Sequence, residues 1–119
     1  MYKVMVRKNR RAKRKLKIRS KISGTLNKPR LSVFRSLRYT YAQLIDDVKG
    51  KTLIDVSESV KKYHDGKSKS QAAYELGKLL AEKALKKGIE NAVFDRNGYR
   101  FHGRIKRLAD GAREGGLNI

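Results

Sequence analysis

Four aspartates, Asp46, Asp47, Asp55 and Asp95, are the side chains from which a two-metal phosphodiesterase centre could be assembled, since such centres gather carboxylates around paired divalent ions. Their placement argues against it. Asp46-Asp47 falls in a turn, and Asp55 lies inside a strand with no regular spacing to Asp95, so these read as turn and edge acids. Gly66-Lys67-Ser68 has the closing residues of a phosphate-binding P-loop, but that motif requires a glycine where Lys61 stands and a hydrophobic strand leading into it. His102 lies between Arg100 and Arg104 with no carboxylate to orient it, which equips it poorly as a general base. Its two flanking guanidinium groups at a helix start instead make His102 a candidate phosphate or ribose contact. With zero Cys and only two His, thiolate metal sites are excluded and other metal chemistry is poorly provided for. No catalytic residue, metal or cofactor is expected, and the protein reads as a non-enzyme.

The chemistry left is recognition of a polyanion. The chain carries 31 Lys+Arg against 11 Asp+Glu over 119 residues, a net charge of +20. The charge is unevenly placed, because the first acidic residue is Asp46: residues 1–45 contribute +15 and residues 46–119 only +5. Between residues 3 and 21 lie eleven basic side chains, among them Arg7, Lys8, Arg10, Arg11, Lys13, Arg14, Lys15, Lys17, Arg19 and Lys21. Like charges at that density repel, so residues 1–23 read as an arm that is extended or frayed when free, with Arg10 to Ser20 able to become helical once phosphates neutralise it. The arm lacks the Trp, Phe or Leu face of a membrane-surface helix, and no apolar run approaches the ~20 residues of a membrane span. No membrane partner is expected, and the location expected is cytoplasmic.

Elements that could position a recognition surface follow from residue 24 onward. Arg30 to Ser36, Tyr39 to Asp46 and Lys51 to Ser57 alternate with period two, and the short links at Leu37-Arg38 and Asp47-Val48-Lys49-Gly50 make them an antiparallel meander. A two-residue loop at Leu37-Arg38 sets Ser36 opposite Tyr39, Phe34 opposite Tyr41 and Ser32 opposite Gln43 on one face. Leu31, Val33, Ala42, Leu44 and Leu53 then fall on the other. The first face combines rings, hydroxyls and an amide, suited to stacking on bases and hydrogen-bonding around them; Phe34 and Tyr41 could equally pair across strands to stabilise the sheet. Ser68 with Gln71 resembles a capping box opening a helix to about Lys87, ended by Gly88. Asn91 to Phe94 is a short buried strand. Asp95-Arg96-Asn97-Gly98 is a turn, and a second helix from about His102 stops at Gly115-Gly116. The order βββαβα implies an α/β domain over residues 24–119: a two-layer mixed four-stranded sheet with helices on one face and the other face open to a ligand.

Two stretches resemble a known family. One runs from Lys28-Pro29-Arg30-Leu31-Ser32-Val33-Phe34-Arg35-Ser36 through Tyr41-Ala42-Gln43-Leu44-Ile45-Asp46-Asp47. The other is Val93-Phe94-Asp95-Arg96-Asn97-Gly98-Tyr99-Arg100-Phe101-His102-Gly103-Arg104 with Leu108 to Leu117. Both are similar to the bacterial eighteenth protein of the large ribosomal subunit, a 5S rRNA-binding family, and the similarity spans essentially the whole chain. The resemblance implies a structural constituent of the large subunit that binds 5S rRNA and helps dock it onto 23S rRNA in the central protuberance, among neighbouring proteins that also bind 5S rRNA. It implies RNA contacts from the arm, from Arg35, Ser36, Arg38, Tyr41 and Gln43 on the sheet and hairpin, and from the Asp95 to Arg104 turn. With Arg30, Phe34, Arg96, Asn97, Tyr99, His102 and Arg104, these complete the candidate set. Gly111 stands where the family usually has Ala, a substitution expected to cost up to ~1 kcal/mol of helix propensity. Two other readings remain: a general nucleic-acid-compacting protein and a metal-dependent ribonuclease.

Overall fold

A computed structural model describes residues 10–56, 59 and 66–119, so Arg7, Lys8 and most of the Ser57 to Lys69 loop lie outside the described residues. Helix α1 (Arg10–Arg19) precedes a meander of β1 (Arg30–Arg35), β2 (Thr40–Asp46) and β3 (Lys51–Asp55); α2 (Lys69–Lys86), β4 (Val93–Asp95) and α3 (Arg104–Glu114) follow. The sheet order is β3-β2-β1-β4. β1 pairs antiparallel with β2 and parallel with β4, giving the mixed α/β sheet that the element order implies.

The hairpin register follows from its two-residue loop. Ser36 N–H donates to the Tyr39 carbonyl, and Phe34 lies opposite Tyr41 and Ser32 opposite Gln43. Leu31, Val33, Ala42 and Leu44 therefore share the face that α2 and α3 cover, and all are buried. β3 departs from strict alternation. An irregularity between Leu44 and Ile45 sets Leu44 opposite Ile54 but Ile45 opposite Thr52. The extra residue shifts the inward position by one, so Ile54 rather than Leu53 enters the core; Leu53 packs at its edge.

The helix ends obey local rules. Ser68 accepts the Gln71 N–H at 3.2 Å, and Gly88, with φ 81°, turns the chain so that Ile89 N–H reaches the Ala84 carbonyl. α3 starts at Arg104, two residues later than expected from sequence, because Gly103 at φ 57° forms its cap. Its face of Ile105, Leu108, Ala109 and Ala112 is wholly buried.

Two glycines set how closely α2 and α3 approach. A Cβ built on Gly111 would run into the Tyr74 carbonyl oxygen, and one on Gly77 into that of Leu108. The missing methyl at Gly111 is thus filled by the backbone of the opposite helix. Helix propensity alone would make Gly111→Ala stabilising, whereas forcing the helices apart costs about 1–3 kcal/mol. We expect Gly111→Ala to lower the thermal midpoint, read by circular dichroism; a raised midpoint would contradict this packing.

Candidate nucleic-acid interface

The sheet face opposite the helices carries a groove of about 430 Å³ lined by Ser32, Phe34, Ser36, Tyr41 and Gln43 with the Ala42 backbone at its floor. Phe34 is 49% exposed, and its ring centroid lies 5.9 Å from that of Tyr41. The two rings thus both pair across the strands and present an open surface. Gln43 Nε2 donates to Asp55 at 3.3 Å, which fixes the amide plane at the groove's edge. Ser36 is spent differently: its hydroxyl accepts the Tyr39 N–H and donates to the Tyr39 carbonyl, closing the hairpin. Arg38 is exposed beside Leu37 at the hairpin tip.

A second group forms where α1 meets the β4–α3 turn. The Arg11 guanidinium lies 4.0 Å and that of Arg35 5.0 Å from the centre of the Tyr99 ring. Arg14 Nε donates to the Gly98 carbonyl at 2.8 Å. Gly98, at φ 79°, lets this happen: a Cβ there would strike the Arg11 carbonyl of α1. Arg11, Arg14, Arg35, Tyr99, Arg100 and His102 line a groove of about 320 Å³, with His102 and Arg100 exposed. Arg104 is half-buried close by, and burial together with repulsion from Arg35 holds its guanidinium below the ordinary value. On the other side of this cluster, Arg10, Lys13, Lys15, Lys17 and Arg19 of α1 and the following Lys21 face solvent.

Three of the candidate contacts, Arg30, Asn97 and Tyr99, are buried and bonded within the domain. Arg30 is 7% exposed: Nη1 donates to Asp95 at 2.7 Å, while Nε and Nη2 donate to Asp47 at 2.9 and 3.1 Å. Burial opposes its charge, but the bonds to Asp47 and Asp95 outweigh that and hold the guanidinium above its ordinary value. The same bonds from Arg30 outweigh burial at Asp47 and, helped by the Gly24 N–H, hold its carboxyl below the ordinary range. Arg30 therefore ties β1 to β4 and to the β2–β3 turn, and Asp47 of that turn holds the linker through Gly24. Asn97, 8% exposed with φ 55°, donates its N–H to Asp95 at 2.8 Å and shapes the turn. Tyr99 is 7% exposed, with the Arg11 and Arg35 guanidinium groups over its ring, and its hydroxyl bonds the Arg35 backbone. Arg96 is half-buried and braces the same turn by donating to the Tyr99 carbonyl at 2.9 Å.

The four aspartates are engaged within the fold. Asp95 is wholly buried against Arg30, Asp46 accepts from Val48 and Lys49 N–H in its turn, and no group of three or more potential metal ligands exists among the described residues. Nor is any helix among them long and apolar enough to cross a membrane. Sequence reasoning did not find Gly98 as the seat of α1, whereas Arg100, which lines the basic groove, falls within the Asp95 to Arg104 turn that the resemblance implies. The Asn97-Gly98 pair signals a left-handed turn, but what crosses it is 80 and more residues away in sequence.

Fold and surface together define a small basic α/β protein whose open sheet face and arginine cluster suit a nucleic acid. Residues 5–119 match the family described as ribosomal L18 of archaea, bacteria, mitochondria and chloroplasts. A large ribosomal subunit protein uL18 from Clostridium botulinum (strain Langeland) is 52% identical over 119 residues, all of both chains. The protein of the same name from Chloroherpeton thalassium is 59% identical over 113 residues, 92% of this chain and 93% of that one. That from Kosmotoga olearia is 52% identical over 116 residues, 95% of each. The chain belongs to the ribosomal L18 family, a family of structural ribosomal proteins and not of enzymes.

Proposed function

We propose that this chain is a constituent of the large ribosomal subunit that binds 5S rRNA, helps attach it to 23S rRNA in the central protuberance, and does so beside neighbouring proteins that also hold 5S rRNA. The observation carrying this reading is the pairing of two unlike surfaces on one small body. α1 and the basic groove supply phosphate neutralisation, which is strong and indifferent to sequence. The Phe34–Tyr41 face with Gln43 supplies rings and an oriented amide for unstacked bases, the elements by which RNA loops are distinguished. Full-length similarity to proteins named for the large subunit supports the ribosomal setting.

The sheet face is tested by Tyr41→Ala and Phe34→Ala. Each lost stacking partner is worth about 1–3 kcal/mol per base, so 5S affinity should fall roughly 5- to 150-fold. Binding to a random-sequence RNA of equal length should change little. Equal losses on both RNAs in a filter-binding titration would remove the face from the selective surface.

A further inference from the structure

The groove between α1 and the β4–α3 turn has the features of a discrete anion site and not of a generally basic surface. Arg11 Nε, in the groove's lining, and Arg104 Nη1, outside that lining but near enough to Arg35 for their charges to repel, are both buried without a hydrogen-bond partner among the described residues. Buried guanidinium donors without partners cost free energy that a bound acceptor recovers. Among the described residues, no carboxylate is ion-paired with Arg11, Arg35, Arg100 or Arg104, whereas Arg19, Arg30, Arg107 and Arg113 all have one. Four arginines elsewhere thus have a carboxylate partner among the described residues, and the four here do not. Half of the site comes from α1 and half from the domain, with Tyr99 collecting Arg11 and Arg35 around one ring.

We propose that this groove binds consecutive phosphate groups, and that their binding fastens α1 to the domain. The inference rests on the RNA-binding reading and deepens it: the arm is not merely attracted to RNA but is locked in one orientation by phosphates held jointly by Arg11, Arg35 and Arg104. Phosphate oxygens match the planar fork of arginine, and an anion lying between the two halves removes the repulsion that otherwise separates them. α1 buries no residue of its own, so its seating rests on the Tyr99 and Gly98 contacts, on the Arg19–Asp47 ion pair and, in this proposal, on the anion. The phosphates could belong to an RNA backbone or to a free oligophosphate.

The test is amide hydrogen exchange of α1 in the full chain, titrated with inorganic tripolyphosphate and, separately, with 5S rRNA. Tripolyphosphate should protect α1 saturably, while NaCl of equal ionic strength should not. Arg104→Gln should raise the half-saturating concentration at least about tenfold, and Arg35→Lys, which keeps charge but loses the fork, several-fold. Lys15→Gln and Lys17→Gln, equal losses of charge on the exposed side of α1, should change it less than about twofold. Without anion, Arg104→Gln should not lower the thermal midpoint, since it relieves repulsion from Arg35; a lowered midpoint would mark Arg104 as structural and overturn the site. Equal effects from Lys15→Gln and Arg104→Gln, or protection by NaCl, would also overturn it. If tripolyphosphate fails while 5S rRNA binds selectively, this inference falls and the RNA reading stands. If tripolyphosphate protects α1 while 5S and random RNA bind alike, the site stands and the 5S reading falls.

Discussion

Replacing Arg30 by alanine should lower the unfolding free energy by about 3–5 kcal/mol, because it leaves the buried Asp95 carboxylate without its countercharge. For a protein whose total stability is of the order of 5–15 kcal/mol, that is a large fraction, and the midpoint should fall by roughly 10–20 °C. The size of the effect comes from asymmetry. Asp95 has no exposed surface and, once Arg30 is gone, keeps among the described residues only the Asn97 N–H, while Asp47 keeps the Gly24 N–H and partial exposure to water. Loss of stability should not be accompanied by loss of RNA affinity in the folded fraction, since the Arg30 head group is turned inward. Urea unfolding and RNA titration of the same preparation separate the two. A stable Arg30→Ala protein with weakened RNA binding would return Arg30 to the surface set.

Deleting residues 1–20 should have the largest effect on binding. The segment holds ten Lys and Arg and no acid. If half of them meet phosphates, the slope of log affinity against log salt should shrink by about 4, at roughly 0.7–0.9 per contact. Over the range from dilute to physiological salt, that corresponds to affinity falling by orders of magnitude at the dilute end and much less at the concentrated end. The fold should survive, because α1 contributes no buried residue, and the preference for 5S over random RNA should survive with it, because Phe34, Tyr41 and Gln43 remain. An unchanged salt slope would refute the role given to the arm. Lost preference with an intact fold would place selectivity in the arm instead.

How much of this was legible in the sequence varied with the range of the interaction. The β1–β2 register could be read residue by residue, since a two-residue loop at Leu37-Arg38 leaves one pairing that puts Leu31, Val33, Ala42 and Leu44 on one face. Capping at Ser68 and the stop at Gly88 are equally local. The inward residue of β3 was misplaced because a bulge has no local signature here; it is set by how β3 must lie on β2. Residue type did not show the intramolecular partners where those are distant. Arg30, Asn97 and Tyr99 carry donors and rings that suit RNA, but Asp95 lies 65 residues from Arg30, and the Tyr99 ring faces Arg11 from a helix at the other end of the chain. Gly111, a weak helix former in isolation, was legible as a defect and proved to be a contact with Tyr74.

The most direct test of the central claim is equilibrium competition at physiological salt, in which labelled 5S rRNA bound to the full chain is displaced by unlabelled 5S rRNA, by a random RNA of equal length, and by duplex DNA. Charge alone treats the three nearly alike, whereas a surface that reads unstacked bases does not. The account predicts displacement by 5S rRNA at concentrations about a hundredfold or more below those of either competitor. Displacement by all three at the same phosphate concentration would contradict it and leave a general nucleic-acid-compacting protein.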